Sequence, residues 1–314
     1  MAGPRDLLEL VRAPAALSVP GDVLAGAAAG RALGGRTAGL ACSSICLYWA
    51  GMAANDWADR HLDAVERPER PIPSGRVAPG TALGVAAGLT VAGLALAGLT
   101  GGRRALAVAV PLAGAVWAYD LAAKNTRAGP AAMALCRGLD VLLGATPGRS
   151  PAAALPAALS VAAHTYLLTA LSRGETAGTT RRTPATTLAA TLTLTAAVAG
   201  HSTTAVVPHG HEPSGTPGPT SAVGLARRAL GESWPAVVRA GLALWYAGQF
   251  GSAQTRAVAE PTAERVREAV TAGIVGLPAL QGALVARAGA PRIGLAIAAA
   301  VPVARRLARK LSPT

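Results

Sequence analysis

The sequence predicts an all-α fold: a polytopic transmembrane helical bundle forming one domain over residues 1–314. Three observations carry that prediction. The chain is 51% hydrophobic and 14% charged, with a mean hydropathy of +0.38, more apolar surface than a water-soluble fold of this length can hide. Apolar runs of seventeen or more residues recur from end to end, close to the ~20 that a helix needs to cross a bilayer. The runs consist mainly of Ala, Leu, Val and Gly, and small side chains let helices approach closely where lipid provides no hydrophobic drive.

In chain order the predicted spans are 15–33, 38–54, 80–100, 104–120, 129–147, 152–171, 184–206, 234–254, 267–287 and 290–306. The segment before the first, MAGPRDLLELVRAP, has no basic-then-apolar pattern ending in a small-residue cleavage site, so the first span is expected to be retained. Cys42, Cys46 and Cys136 all fall inside spans without a Cys-x-x-Cys or Cys/His set, and are expected to act as small buried hydrophobes. Residues 201–221 are rich in Pro, Gly, Ser and Thr and are expected to form a flexible outer loop. His201, His209, His211 and Glu212 lie there, but the neighbouring Pro and Gly give them no rigid scaffold for a metal.

The formal net charge is +13, and all but two of the 29 basic residues are arginine. They are scattered through the loops between apolar spans, with no cluster on a soluble domain, which excludes a nucleic-acid partner. With the N-terminus inside, segments 1–14, 55–79, 121–128 and 172–183 carry eleven basic residues, and the opposite loops near 31–37, 101–104, 148–151 and 203–222 carry five. Cytoplasmic loops are enriched in Lys and Arg. The loop at 55–79 is therefore expected on the cytoplasmic side of the cell membrane, and the basic tail at 305–310 favours an even number of crossings.

One polar island breaks the pattern. Residues 55–76, NDWADRHLDAVERPERPIPSGR, hold an asparagine, three aspartates and four arginines between two nearly uncharged flanks. Asn55, Asp59 and Asp63 are spaced i, i+4, i+8 and would form one stripe if the helix of the second span continued past the membrane, with Asp56 beside it. Carboxylates so close repel unless a cation intervenes, and hard oxygen donors suit Mg²⁺, which substrate phosphates commonly complete. Arg67, Arg70 and Arg76 follow in a Pro-rich stretch, where guanidinium forks can hold phosphate oxygens. Together these parts describe a site for a diphosphate whose organic portion lives in the bilayer.

NDWADRHLD followed by RPERPIPSGR resembles the first Asp-rich signature of the UbiA superfamily of intramembrane prenyltransferases, N-D-x-x-D-x-x-x-D and then R-P-x-R-P-[LI]-x-S-G. Both halves match at the right separation. The resemblance implies an all-helical bundle, usually of nine helices where the spans here number ten. It also implies a Mg²⁺ cofactor and an isoprenyl diphosphate substrate, with Asn55, Asp56, Asp59 and Asp63 as metal ligands and Arg67, Arg70 and Arg76 binding substrate. AYDLAAKN is similar to the family's Tyr…Lys element, which makes Tyr119 and Lys124 candidates for catalysis and Lys124 for the diphosphate. CRGLDVLLG places Arg137 and Asp140 inside an apolar helix, where ionisable groups pair with each other or mark a site; Asp22, in SVPGDVLAG, is a third such group. The family's second acidic signature is replaced by LSRGETAGTTRRTP. Glu175 is there the candidate metal ligand, and Ser172 and Arg173 candidate substrate contacts. Asp120 or Asp140 are the other candidates for the missing carboxylate, and Arg173 is a candidate to replace the metal's charge directly. This form resembles the EboC-like branch.

The resemblance implies transfer of a prenyl group to an acceptor within the membrane. Two alternatives stand beside it: cyclisation of a single isoprenyl diphosphate, and a non-catalytic protein that binds or transports a lipid diphosphate. An allylic cation needs a dry pocket with π faces. Six of the ten aromatic residues (Tyr48, Trp49, Trp57, Trp117, Tyr119 and Tyr166) lie in segments running into the motif loops and are expected to contribute to it.

Overall fold

The computed structural model describes residues 2–13, 18–200 and 222–300. Among these there are helices and no strands. In chain order they are α1 (Pro4–Leu10), α2 (Pro20–Ala29), α3 (Gly35–Ala58), α4 (Arg60–Glu66), α5 (Pro79–Ala118), α6 (Gly129–Ala145), α7 (Leu155–Ser172), α8 (Arg182–Ala199), α9 (Ala222–Tyr246), α10 (Ser252–Ala259), α11 (Ala263–Arg287) and α12 (Pro291–Ala300). Each expected span coincides largely with helix over its described residues, except that 234–254 crosses from α9 through a wide turn at Ala247–Gly251 into α10; parts of 15–33, 184–206 and 290–306 lie outside the described residues. The histidines near 201–211 and the basic tail lie outside the described residues.

Helix α5 holds two of those spans. Its backbone breaks at Gly102, with φ 66° and ψ −156°, a region open essentially to glycine alone. The two limbs fold back on each other, because Trp117 Nε1 donates to Thr90 Oγ1 at 3.1 Å across 27 residues. Among the described residues, four helices are long and apolar enough to cross a membrane by length and composition: Gly35–Ala58, Pro79–Ala123, Pro151–Ser172 and Ala263–Arg287. Large apolar side chains such as Val91, Leu99, Leu159 and Leu244 face outward, the arrangement expected of a surface that meets lipid. The chain is an integral membrane protein.

Helices α2 and α6 cross with almost no side chain between them. A Cβ on Gly26 would fall on the Val141 carbonyl, and one on Gly144 on that of Val23, the close approach that small residues permit. Of the three cysteines, Cys136 is buried as expected, whereas Cys42 is exposed on the outer face of α3. A small sulfur side chain needs no protein cover where its surroundings are lipid.

Candidate functional site

Helix α3 carries the island's first acids on its last turn and ends at Asp59. There the backbone leaves helical geometry, and α4 begins at the next residue. The i→i+4 path still continues, with the Asp59 amide donating to the Asn55 carbonyl and the Asp63 amide to that of Asp59. Yet the expected single stripe of Asn55, Asp59 and Asp63 is divided in two, because the break at Asp59 rotates Asp63 away from the first two residues.

Asp56 and Asp63 form one pair, joined through Arg70, whose Nη1 lies 3.3 Å from Asp56 Oδ1 and 2.6 Å from Asp63 Oδ2. Arg12 Nη2, from the turn after α1, reaches Asp56 Oδ1 at 2.8 Å. Arg12 takes a left-handed φ of 46° there, an uncommon state for a non-glycine residue. Asn55 and Asp59 form the other pair. Asp59 Oδ1 meets Lys124 Nζ at 2.7 Å. The Asn55 amide is best satisfied when it donates to Asp59 Oδ2 at 3.2 Å and accepts from Lys124 Nζ at 3.3 Å; turned over, it donates to Asp120 Oδ1 at 3.3 Å. Asp120 and Lys124 owe their common side to a wide turn, Tyr119–Ala123, closed by the Lys124 amide on the Tyr119 carbonyl at 2.9 Å. Such i→i+5 turns recur at functional sites.

The other expected residues fall in different places. Arg76 pairs with Asp6 and Glu9 of α1 and donates to the Glu69 carbonyl. A backbone hydrogen bond from Gly3 and the Arg76 guanidinium hold the Asp6 carboxyl below its ordinary value, and Arg76 does the same for Glu9. Arg76 thus fastens α1 over the acids. Arg67 is exposed and makes no ion pair among the described residues. Ser172 Oγ donates to the Thr169 carbonyl. Arg173 Nη2 donates to the Thr126 carbonyl, so the end of α7 docks on the loop that presents Lys124. Glu175 faces Arg267, which donates to its carbonyl at 3.0 Å; burial raises its carboxyl above the ordinary value and Arg267 opposes the shift. No contact joins Glu175 to the Asp56–Asp63 acids.

A cleft enclosing about 510 Å³ opens beside this cluster. Asp120 and Tyr119 line one end, apolar residues such as Leu47, Met52 and Val116 the middle, and Ser44, Arg137 and Asp140 the other end. Of the six aromatics expected around a pocket, Tyr48 and Tyr119 line the cleft. The others turn elsewhere: Trp57 stacks under Arg60 at 4.7 Å and Tyr166 points outward. Arg137 and Asp140 do not pair with each other. Arg137 Nε meets Asp22 Oδ2 at 2.8 Å, Gln281 Nε2 donates to Asp22 Oδ1 at 2.7 Å, and Ser44 Oγ donates to Asp140 Oδ2 at 2.7 Å. The residues that the sequence did not single out for the site, Arg12 and Gln281, come from segments far away in the chain. Arg12 carried one signal, a basic side chain next to the first span on the side of the island.

The donor set fits a hard divalent cation in its chemistry. Asp56, Asp59, Asp63 and Asn55 offer oxygen atoms only, which is the preference of Mg²⁺. Each carboxylate is held by a basic side chain, and among the described residues no three His, Cys, Asp or Glu side chains converge as a metal cage.

The structure defines an all-helical integral membrane protein with paired acids and bases beside one end of a cleft. The chain belongs to the UbiA prenyltransferase family, whose sequence model matches residues 16–262. It is 36% identical over 157 residues to digeranylgeranylglyceryl phosphate synthase of Methanopyrus kandleri, an alignment covering 48% of this chain and 56% of that one. It is 41% identical over 90 residues to the bacteriochlorophyll synthase 33 kDa chain of Cereibacter sphaeroides, covering 27% and 29%. These matches span about half or less of the relatives' own length. Among solved structures, one of digeranylgeranylglyceryl phosphate synthase aligns with a TM-score of 0.58 at 16% identity, covering 90% of this chain and 97% of that one. The apo structure of a UbiA homologue from Aeropyrum pernix K1 aligns with a TM-score of 0.54 at 17% identity, covering 86% and 96%. At such identities the two structures establish the fold.

Proposed function

We propose that the chain is a Mg²⁺-dependent prenyltransferase of the membrane, which ionises an isoprenyl diphosphate and passes the prenyl group to an acceptor in the bilayer. The observation that supports this most is the assembly of Asp56, Asp59, Asp63, Arg70, Lys124 and Arg12 beside the Asp120 end of a cleft whose middle is apolar. Membership of the UbiA prenyltransferase family agrees with it.

Asp56, Asp59 and Asp63, with Asn55, would hold the ion; when bound, Mg²⁺ supplies positive charge against the phosphate oxygens. Lys124 and Arg70 bind the diphosphate by charge-assisted hydrogen bonds as it displaces them from their carboxylates. The bond between the allylic carbon and the diphosphate oxygen breaks with its electron pair going to oxygen. Cationic side chains in a site of low dielectric stabilise that developing charge. The apolar walls of the cleft keep water from the carbon until the acceptor reaches it and loses its proton. The charge pattern of the loops supports a cytoplasmic position for this mouth.

The test incubates detergent-purified protein with Mg²⁺, a set of isoprenyl diphosphates and a lipid extract. Product that requires both the diphosphate and the extract supports transfer, and Asp56→Ala and Asp59→Ala should each lower turnover at least about 100-fold. Hydrocarbon release without extract would assign a cyclase. Binding without turnover would assign a carrier.

A further inference from the structure

The end of the cleft away from the acids is polar where a hydrocarbon chain would want it apolar. Asp140 is 4% exposed and Ser44 2%. Ser44 occupies Asp140 Oδ2, but Asp140 Oδ1 is buried without a hydrogen-bond partner, and so is Arg137 Nη2. Both residues line the cleft. Asp140 follows Arg137 by three positions on α6, so the two share one face of that helix. Arg137 is fixed from behind by Asp22, itself held by Gln281. A buried donor and a buried acceptor are thus left open on one face of α6, towards the cleft. Unmade hydrogen bonds of buried polar groups are costly, and a prenyl tail laid against this end would leave both unmade.

A group that satisfies the pair must accept from a guanidinium and donate to a carboxylate. A hydroxyl does both; an ether only accepts, and a carboxylate would face Asp140 with like charge. We infer that Arg137 and Asp140 form a subsite for a hydroxyl group of the acceptor, with the prenyl chain lying elsewhere in the cleft. This rests on the prenyl-transfer reading for the word acceptor, but the hydroxyl preference of the subsite does not.

Three probes of matched shape test it: phenol, which donates and accepts; anisole, which only accepts; and toluene, which does neither. Their binding to the full chain in detergent is measured by saturation-transfer NMR, with farnesyl S-thiolodiphosphate, an unreactive diphosphate, titrated in parallel. Phenol should bind about tenfold more tightly than anisole or toluene, the value of one hydrogen bond to a charged group. Asp140→Asn, which keeps an acceptor oxygen but loses the charge, should keep a reduced preference for phenol, and Asp140→Leu should abolish it without weakening the thiolodiphosphate. Equal binding of the three probes, or a preference that survives Asp140→Leu, overturns the subsite. If Asp140→Leu does not fold, photolabelling of the native chain with 3-azidophenol decides: label on α6 or on residues 44–52 of α3 supports the subsite, and label elsewhere overturns it. Loss of thiolodiphosphate binding with the phenol preference intact would overturn the transfer reading and leave the hydroxyl subsite standing.

Discussion

At the scale of single residues, the site is a set of carboxylates that would repel if the chain did not supply cations from three directions. Arg70 does most of this work. It is 17% exposed and serves both Asp56 and Asp63, each 5% exposed, whereas Arg12 is 40% exposed and serves Asp56 alone. Removing one partner of a buried pair strands the other and costs about 3–5 kcal/mol; losing an exposed partner costs at most ~1 kcal/mol. Arg70→Met should therefore destabilise the folded chain several times more than Arg12→Met, measured by denaturant unfolding in detergent. Equal effects would show that Arg70 is not the principal counter-charge. The acids, Arg70 and Lys124 were legible in the sequence, because a run of charges inside an apolar chain has few explanations. Arg12 as a partner of Asp56 was not, since the two are 44 residues apart and meet only once α1 has docked. The division of the acids into two pairs was likewise hidden, because it depends on where α3 ends, and a helix boundary is poorly marked when the i→i+4 path continues through it.

At the scale of elements, apolar periodicity located the spans well and hairpin geometry less directly. The two expected spans 80–100 and 104–120 are the limbs of α5, and the glycine between them makes the reversal possible. Gly102 has nothing within 4 Å of where a Cβ would stand, so a substitution there costs backbone strain alone, about 1–3 kcal/mol for a conformation that only glycine adopts freely. Gly102→Ala should lower stability by that amount, and Asn, which is tolerated in ordinary left-handed geometry, should bring no rescue at ψ −156°. Gly88, on the same element in regular helix and equally open space, is the control: Gly88→Ala should be neutral or stabilising by up to about 1 kcal/mol. Thermal unfolding of the three variants distinguishes them. If Gly102→Ala matched Gly88→Ala, the reversal would not depend on glycine. The wide turn that sets Asp120 beside Lys124 had no comparable signal, since AYDLAAKN fits an ordinary helix as well as a widened one.

At the scale of the whole molecule, the described helices enclose two main apolar cores that share a seam. One core gathers Val161, Phe250, Val270 and Leu280 from the C-terminal helices, and the other Leu40, Leu47, Ala97 and Leu112 from α3 and α5. Helices α2 and α6 serve both: Ala25 and Val141 belong to the first core, Val23 and Leu143 to the second. Across that seam run the Arg137–Asp22 pair and the Gln281 bond from α11, so the polar bridge ties together the elements that make the two halves one body. Such a bridge contributes less than its Coulomb energy suggests, because both charges were taken out of water; losing one member alone is what costs. Arg137→Met should destabilise by about 3–5 kcal/mol through the stranded Asp22 carboxylate. Adding Asp22→Leu should return most of that loss, giving a coupling of 1 kcal/mol or more, on the order expected for residues in direct contact. Denaturant unfolding of both single variants and the double variant closes the cycle. If the two losses simply add, the pair does not couple the halves and the seam is held by the glycine-mediated contact of α2 with α6. If they cancel, and the double variant still unfolds in one transition, the small-residue packing makes the chain a single domain while the charges select which faces of α2 and α6 meet.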